Sequence, residues 1–295
     1  MSYVTRRQFL ADCNRLVLAG SASLVAGSVL AACGTSDDLA SLPDDVQIVQ
    51  RFPQNLVVGP LRMPLSLASA GGLLTVNDAT KTPAALTASI VRIDGGRDEV
   101  IVEGLIAKRH DASIVTPYWP FFVDIREPGF YRIVLEGGPR DGAAFQVFAR
   151  GEVAVPGIGD VLPALDTPTF SDARGVNPLC TRQPQPCALH DTTLRDALTL
   201  GKPIVLLVGT PAHCATGTCA PALDALLSVA DRNEGSYTFI HAEVYADPDA
   251  TKIAPTVEGL SMNYEPALFV TDERGVVTAR LDAVFDEVEL SALIG

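Results

Sequence analysis

The chain has 295 residues, enough for two domains once a targeting segment is set aside. Its 22 lysines and arginines face 35 aspartates and glutamates, a formal net charge of −13 at pH 7. That balance argues against nucleic acid or an anionic lipid surface as the main partner and reads most simply as a solvated acidic exterior.

The chain opens with Thr5-Arg6-Arg7-Gln8-Phe9-Leu10, followed by a weakly apolar run over 16–32 that ends in Leu30-Ala31-Ala32-Cys33. This opening resembles the signal of twin-arginine-exported lipoproteins. The resemblance implies a signal over 1–32, cleavage before Cys33 and a lipid on that cysteine. An uncleaved anchor helix is the competing reading, but the run is marginal against the roughly 20 residues that span a bilayer. Both place the body of the protein outside the cytoplasm, and the lipoprotein reading anchors it to the outer face of the cytoplasmic membrane. Residues 33–45, beginning Cys33-Gly34-Thr35-Ser36-Asp37-Asp38, form a flexible tether. Cys13 leaves with the signal and Cys33 takes lipid, so Cys180, Cys187, Cys214 and Cys219 remain. An even number in an oxidising compartment predicts two disulfides; three pairings are open, and proximity favours Cys180–Cys187 and Cys214–Cys219.

Residues 46–153 read as strands and turns. Segments 84–93, 99–108, 118–125, 130–136 and 143–150 are rich in β-branched and aromatic residues. Turn signals such as Asp94-Gly95-Gly96 and Gly137-Gly138-Pro139 separate them. Tyr131, Ile133 and Leu135 share one face of a half-buried strand. This spacing predicts a β-sandwich, and Pro128-Gly129-Phe130-Tyr131-Arg132-Ile133 resembles a strand entry of immunoglobulin-like export domains. The cluster around Tyr118, Trp119 and Phe121 reads as a core strand rather than a binding platform. His110 reads as an exposed loop residue.

Residues 154–189 form a Pro- and Gly-rich connector that holds Cys180-Thr181-Arg182-Gln183-Pro184-Gln185-Pro186-Cys187. A disulfide closing so short a loop stabilises by about 2–3 kcal/mol in the chain-entropy model, so Cys180–Cys187 is expected as a structural bridge. A zinc reading with Cys180, Cys187 and His190 lacks an obvious fourth ligand, and no metal is assigned.

Beyond it, 190–201 reads as a short capped helix. Ile204-Val205-Leu206-Leu207-Val208 has the length and composition of a strand buried on both faces. Leu223, Leu226, Leu227 and Ala230 then recur at helical spacing, with Pro221 suited to the first turn. Cys214 and Cys219 therefore fall between a buried strand and a helix start, whose unpaired N–H groups and partial positive charge favour thiolate over thiol. A strand over 237–245, the segment Tyr264-Glu265-Pro266, strands over 267–271 and 276–281, and a helix from about 286 complete the chain.

With this element order, the cysteine pair and Glu265-Pro266, residues 190–295 resemble the thioredoxin superfamily. The resemblance implies an α/β thioredoxin-like domain following the all-β, immunoglobulin-like sandwich of 46–153, with a cis Pro266 beside the active sulfur. The pair departs from the family's Cys-x-x-Cys by two extra residues, which leaves two registers. In one, Cys214 takes the first position and Cys219 resolves. In the other, Cys219-Ala220-Pro221-Ala222 lies on Cys-Gly-Pro-Cys, Cys219 attacks and Cys214 resolves from the loop; Pro221 and the helix-end chemistry favour this register. Glu265 would raise a neighbouring thiol pKa or relay its proton, and a protonated His213 would lower it.

The activity implied is thiol–disulfide exchange on a thiol or disulfide protein substrate or redox partner, with no cofactor. Three alternatives stand beside it. One is a non-catalytic scaffold with a structural disulfide and a partner-binding sandwich. Another is a peroxidase, because Thr216-Gly217-Thr218-Cys219 resembles the Thr-x-x-Cys of peroxiredoxins, although Pro211 stands one residue too far away. The last is copper delivery through Cys214, Cys219 and His213 or His241, where His241 otherwise reads as a core histidine.

Overall fold

Apolar side chains alternate at Leu61, Met63, Leu65 and Leu67, and this period of two sets the first sheet of the computed structural model, which describes residues 42–294. The export signal expected over 1–32, with its Cys13, and Cys33 lie outside the described residues. Nine strands come first: β1 (Gln47–Gln50), β2 (Leu56–Val57), β3 (Gly59–Ser69), β4 (Gly72–Leu73), β5 (Ala85–Asp94), β6 (Arg97–Lys108), β7 (Trp119–Ile125), β8 (Gly129–Leu135) and β9 (Ala143–Phe148). One sheet runs β1-β3-β4 with β7 also paired to β3, and the other runs β2-β9-β8-β5-β6. Inward residues of both sheets, including Met63, Leu65, Trp119, Phe121, Ile90, Tyr131 and Ile133, form one apolar core. Trp119 is fully buried and donates its indole N–H to the Pro83 carbonyl at 3.1 Å, so its polar atom is satisfied inside that core.

The C-terminal part comprises α1 (Leu194–Ala197), β10 (Ile204–Val208), α2 (Cys219–Arg232), β11 (Thr238–Ala242), α3 (Pro255–Gly259), β12 (Ala267–Thr271), β13 (Val277–Asp282) and α4 (Glu287–Ile294). Its sheet has the order β11-β10-β12-β13, with β10 parallel to β11 and antiparallel to β12. All five residues of β10 are buried, as a central strand covered on both faces requires. Val205 and Leu207 pack with Leu223 and Leu226 of α2 and with Leu290 of α4. On the other face Ile204, Leu206 and Val208 meet Val155, Leu162, Leu194 and Val257.

The expected division into an all-β sandwich and an α/β thioredoxin-like domain is corrected here. The described chain is mostly β, 35% strand against 13% helix, with four helices. Only α2, at 14 residues, runs beyond about two turns; α1 has 4 residues, α3 has 5 and α4 has 8. The physical reason lies on the second face of the C-terminal sheet. Irregular chain around Val155 and Leu162 and two single-turn helices cover it. All the described residues belong to one compact unit. No helix among them is long and apolar enough to cross a membrane.

A buried polar network joins β3 to the C-terminal helix. Arg62 donates from Nε to Glu289 Oε1 at 2.6 Å and from a terminal nitrogen to Oε2 at 2.7 Å, and reaches the Asp282 and Val284 carbonyls. Tyr118 donates its hydroxyl to Glu289 at 2.6 Å. Asp286 caps α4 by accepting the Glu289 N–H at 2.9 Å, and its carboxylate also faces His110 Nδ1 at 3.0 Å. His110 is therefore not the exposed loop residue expected from its polar neighbours. It stacks beside Tyr118 and is an ion-pair partner of Asp286.

Candidate redox site

The strand β10 ends at Val208, and the chain turns through Gly209 into the cysteine loop. A β-carbon at Gly209 would lie 3.5 Å from Pro266 Cβ and 3.6 Å from Cys219 Sγ, ordinary van der Waals distances that show how closely the turn packs on both. The Glu265–Pro266 peptide is cis. The loop closes where Gly217 N–H donates to the Cys214 carbonyl at 3.1 Å, with Gly217 at φ +68°, a conformation open to glycine at little cost.

The helix α2 begins at Cys219, two residues before the helix over 221–231 expected from the sequence, and Pro221 still falls in its first turn, where its missing N–H costs nothing. The residue before the helix, Thr218, makes no side-chain cap bond. Instead the Cys219 N–H donates to Cys214 Sγ at 3.3 Å, so the sulfur takes an otherwise unpartnered helix donor. The Thr216 hydroxyl lies 3.3 Å from the same sulfur and 2.7 Å from the Thr218 hydroxyl.

These contacts separate the two thiols. Cys214 is partly exposed and Cys219 is 1% exposed. A hydrogen bond from the Cys219 thiol, aided by Thr216 and the N–H groups of Cys219 and Thr218, brings the Cys214 pKa down to about 4 against an opposing burial effect. The same thiol–thiol bond, then burial and the charges of Cys214 and Glu265, pushes Cys219 above the ordinary thiol range. The sulfur that takes the helix-end N–H is that of Cys214, while Cys219, the attacking sulfur of the register favoured above, is buried at the first residue of α2.

Donor atoms of Cys214, Cys219 and Glu265 all lie within 4.8 Å of one another. Burial, the Cys214 charge and Glu243 raise the Glu265 carboxyl to about 7, and its Oε2 has no hydrogen-bond partner among the described residues. His213 instead sets its ring edge-on to Tyr245, 6.1 Å between centroids, and no hydrogen bond joins it to either sulfur among the described residues. Thr216, the residue behind the peroxidase reading, contacts Cys214 rather than Cys219.

Behind the loop, Thr181 was missed in the sequence. Its N–H and hydroxyl donate to buried Glu243 Oε1 at 2.6 and 2.8 Å, and its hydroxyl accepts the Ala212 N–H at 3.1 Å. The expected Cys180–Cys187 bridge is not what is found. Both are free thiols whose sulfurs turn toward His190 and His241 in a second, buried donor cluster. His241, considered above as a copper ligand, belongs to that cluster and not to the pair at 214 and 219.

The chain matches no protein-family model, and a search of curated proteins found no match either.

Proposed function

We propose that the chain is a thiol–disulfide oxidoreductase held outside the cytoplasm by a lipid on Cys33, with Cys214 as the attacking and Cys219 as the resolving sulfur. One observation carries the reading: a partly exposed sulfur at a helix start, biased to thiolate, beside a second thiol and a half-buried carboxyl.

In the reducing direction the Cys214 thiolate attacks one sulfur of a substrate disulfide. An S–S bond forms to Cys214, and the other substrate sulfur leaves as a thiolate. Cys219 then passes its proton to Glu265 and attacks Cys214 Sγ, releasing the second substrate thiolate. The substrate disulfide gains two electrons and the cysteine pair becomes a disulfide. The oxidising direction is the same sequence reversed. Glu265, with a pKa of about 7, can accept and return that proton near neutrality.

The full chain equilibrated with reduced and oxidised glutathione tests this. Reversible two-electron oxidation of the pair, with turnover of a disulfide substrate lost in Cys214→Ser, is expected. No exchange by the wild-type pair contradicts it, and a pair that resists millimolar reductant would favour a structural bridge.

A further inference from the structure

We propose that Cys180, Cys187, His190 and His241 form a closed zinc site, distinct from the redox pair. The four donor atoms lie within 4.8 Å of one another, and all four residues are nearly sealed from solvent, at 4%, 3%, 0% and 0% exposure.

Four of the six donor–donor distances match the edges of a coordination tetrahedron. Zinc–sulfur bonds of about 2.3 Å and zinc–nitrogen bonds of about 2.0–2.1 Å give edges of about 3.6 Å between sulfur and nitrogen and about 3.3 Å between nitrogens. Cys187 Sγ stands 3.3 Å from His190 Nε2 and 3.5 Å from His241 Nδ1. Cys180 Sγ is 3.7 Å from His241 Nδ1, and the two ring nitrogens are 3.3 Å apart.

Orientation and charge agree with this. His241 Nε2 lies 3.1 Å from the Gly209 carbonyl, which can only accept, so the neutral ring carries its proton there and turns the Nδ1 lone pair into the cluster. The Cys187 N–H donates to Cys180 Sγ at 3.4 Å, an outer contact suited to a ligating thiolate. Two thiolates and two neutral imidazoles around a divalent ion carry no net charge, which is what an apolar interior tolerates. Binding to the thiols releases their protons. Two sulfurs and two nitrogens in a tetrahedron select zinc over calcium or magnesium, and four protein ligands leave no open position for catalysis. The ion would fasten the 180–190 connector to β11, and through Gly209 and Thr181 to the base of the redox loop.

The test uses the full chain, purified reduced and without chelator, with Zn²⁺ or Co²⁺ as the probe. About one zinc per chain is expected, and Co²⁺ exchange should give tetrahedral visible bands with thiolate-to-cobalt charge transfer. Both signals should persist in the Cys214→Ser/Cys219→Ser double variant, and affinity should fall at least tenfold in His241→Gln. If His241→Gln does not fold, the wild-type cobalt spectrum and the intact mass under non-reducing conditions decide. A Cys180–Cys187 disulfide in place of metal overturns the proposal, and so does loss of the metal in the double variant.

Discussion

The hydroxyl of Thr181 accepts the backbone N–H of Ala212 at 3.1 Å while donating to Glu243 at 2.8 Å. It stands next to Cys180 and holds the loop two residues before Cys214. Thr181→Val leaves the Ala212 donor without this partner and is expected to cost about 1–3 kcal/mol. It should also slow exchange, because the attacking sulfur loses an anchor of its loop. Thr181→Ser keeps both bonds and should stay near wild type. Denaturant unfolding and disulfide turnover check this; a fully stable and active valine variant would show that the bond does not position the loop.

Cys214, with a pKa brought down to about 4, is thiolate throughout the neutral range. Its alkylation should proceed at a nearly constant rate between about pH 6 and pH 8, while buried Cys219 resists. Peptide mapping after brief iodoacetamide treatment reads both. A Cys214 rate rising about tenfold per pH unit would place it at the ordinary thiol value near 8.5.

Glu265 is predicted to serve the resolving step, and Glu265→Gln should slow turnover by roughly 10²-fold and remove the inflection near pH 7. Its folded pKa of about 7 lies above the ordinary 4.5, so the folded state keeps a proton that the unfolded chain has lost between those values. Stability therefore falls as pH rises through that window. In Glu265→Gln that slope should vanish, with a gain of roughly 1–2 kcal/mol at about pH 8 relative to about pH 4, discounted for partial exposure. Thermal melts across pH measure it.

The hydrogen bond to Asp286 holds His110 above the ordinary histidine pKa. Its contribution to stability is complete below the unfolded value near 6.5 and is lost as pH rises through the folded value. Burial opposes the Asp286 charge, but His110 and the Glu289 N–H keep its pKa low, so its share is lost as pH falls through that lowered value. His110→Gln should flatten the alkaline side of the stability profile. Arg62→Ala strands Glu289 without its guanidinium and should cost about 3–5 kcal/mol, measured by denaturant unfolding.

What could be read in the sequence was local. The apolar run 204–208 shows as a buried strand because every side chain in it is apolar, and Glu265-Pro266 stands out beside it. The identity of the exposed sulfur was not legible: it depends on α2 starting at Cys219, and Pro221 is compatible with either start. Nor was the fourth donor of the buried cluster. His241 reaches it through the parallel register that sets Leu207 beside His241, a tertiary pairing with no trace in the spacing of Cys180, Cys187 and His190. The α/β reading of the C-terminal part failed for a related reason. An apolar strand demands cover, but its composition does not say whether helix or irregular chain supplies it. His110 was misjudged because its partner, Asp286, is 176 positions away.

The most direct test of the account is to treat full-length Cys219→Ser with oxidised glutathione and map the adduct by mass spectrometry. With the resolving thiol gone, glutathione should accumulate as a mixed disulfide on Cys214, in a form the wild type releases. An unmodified Cys214, or wild-type exchange persisting in Cys214→Ser, would contradict it.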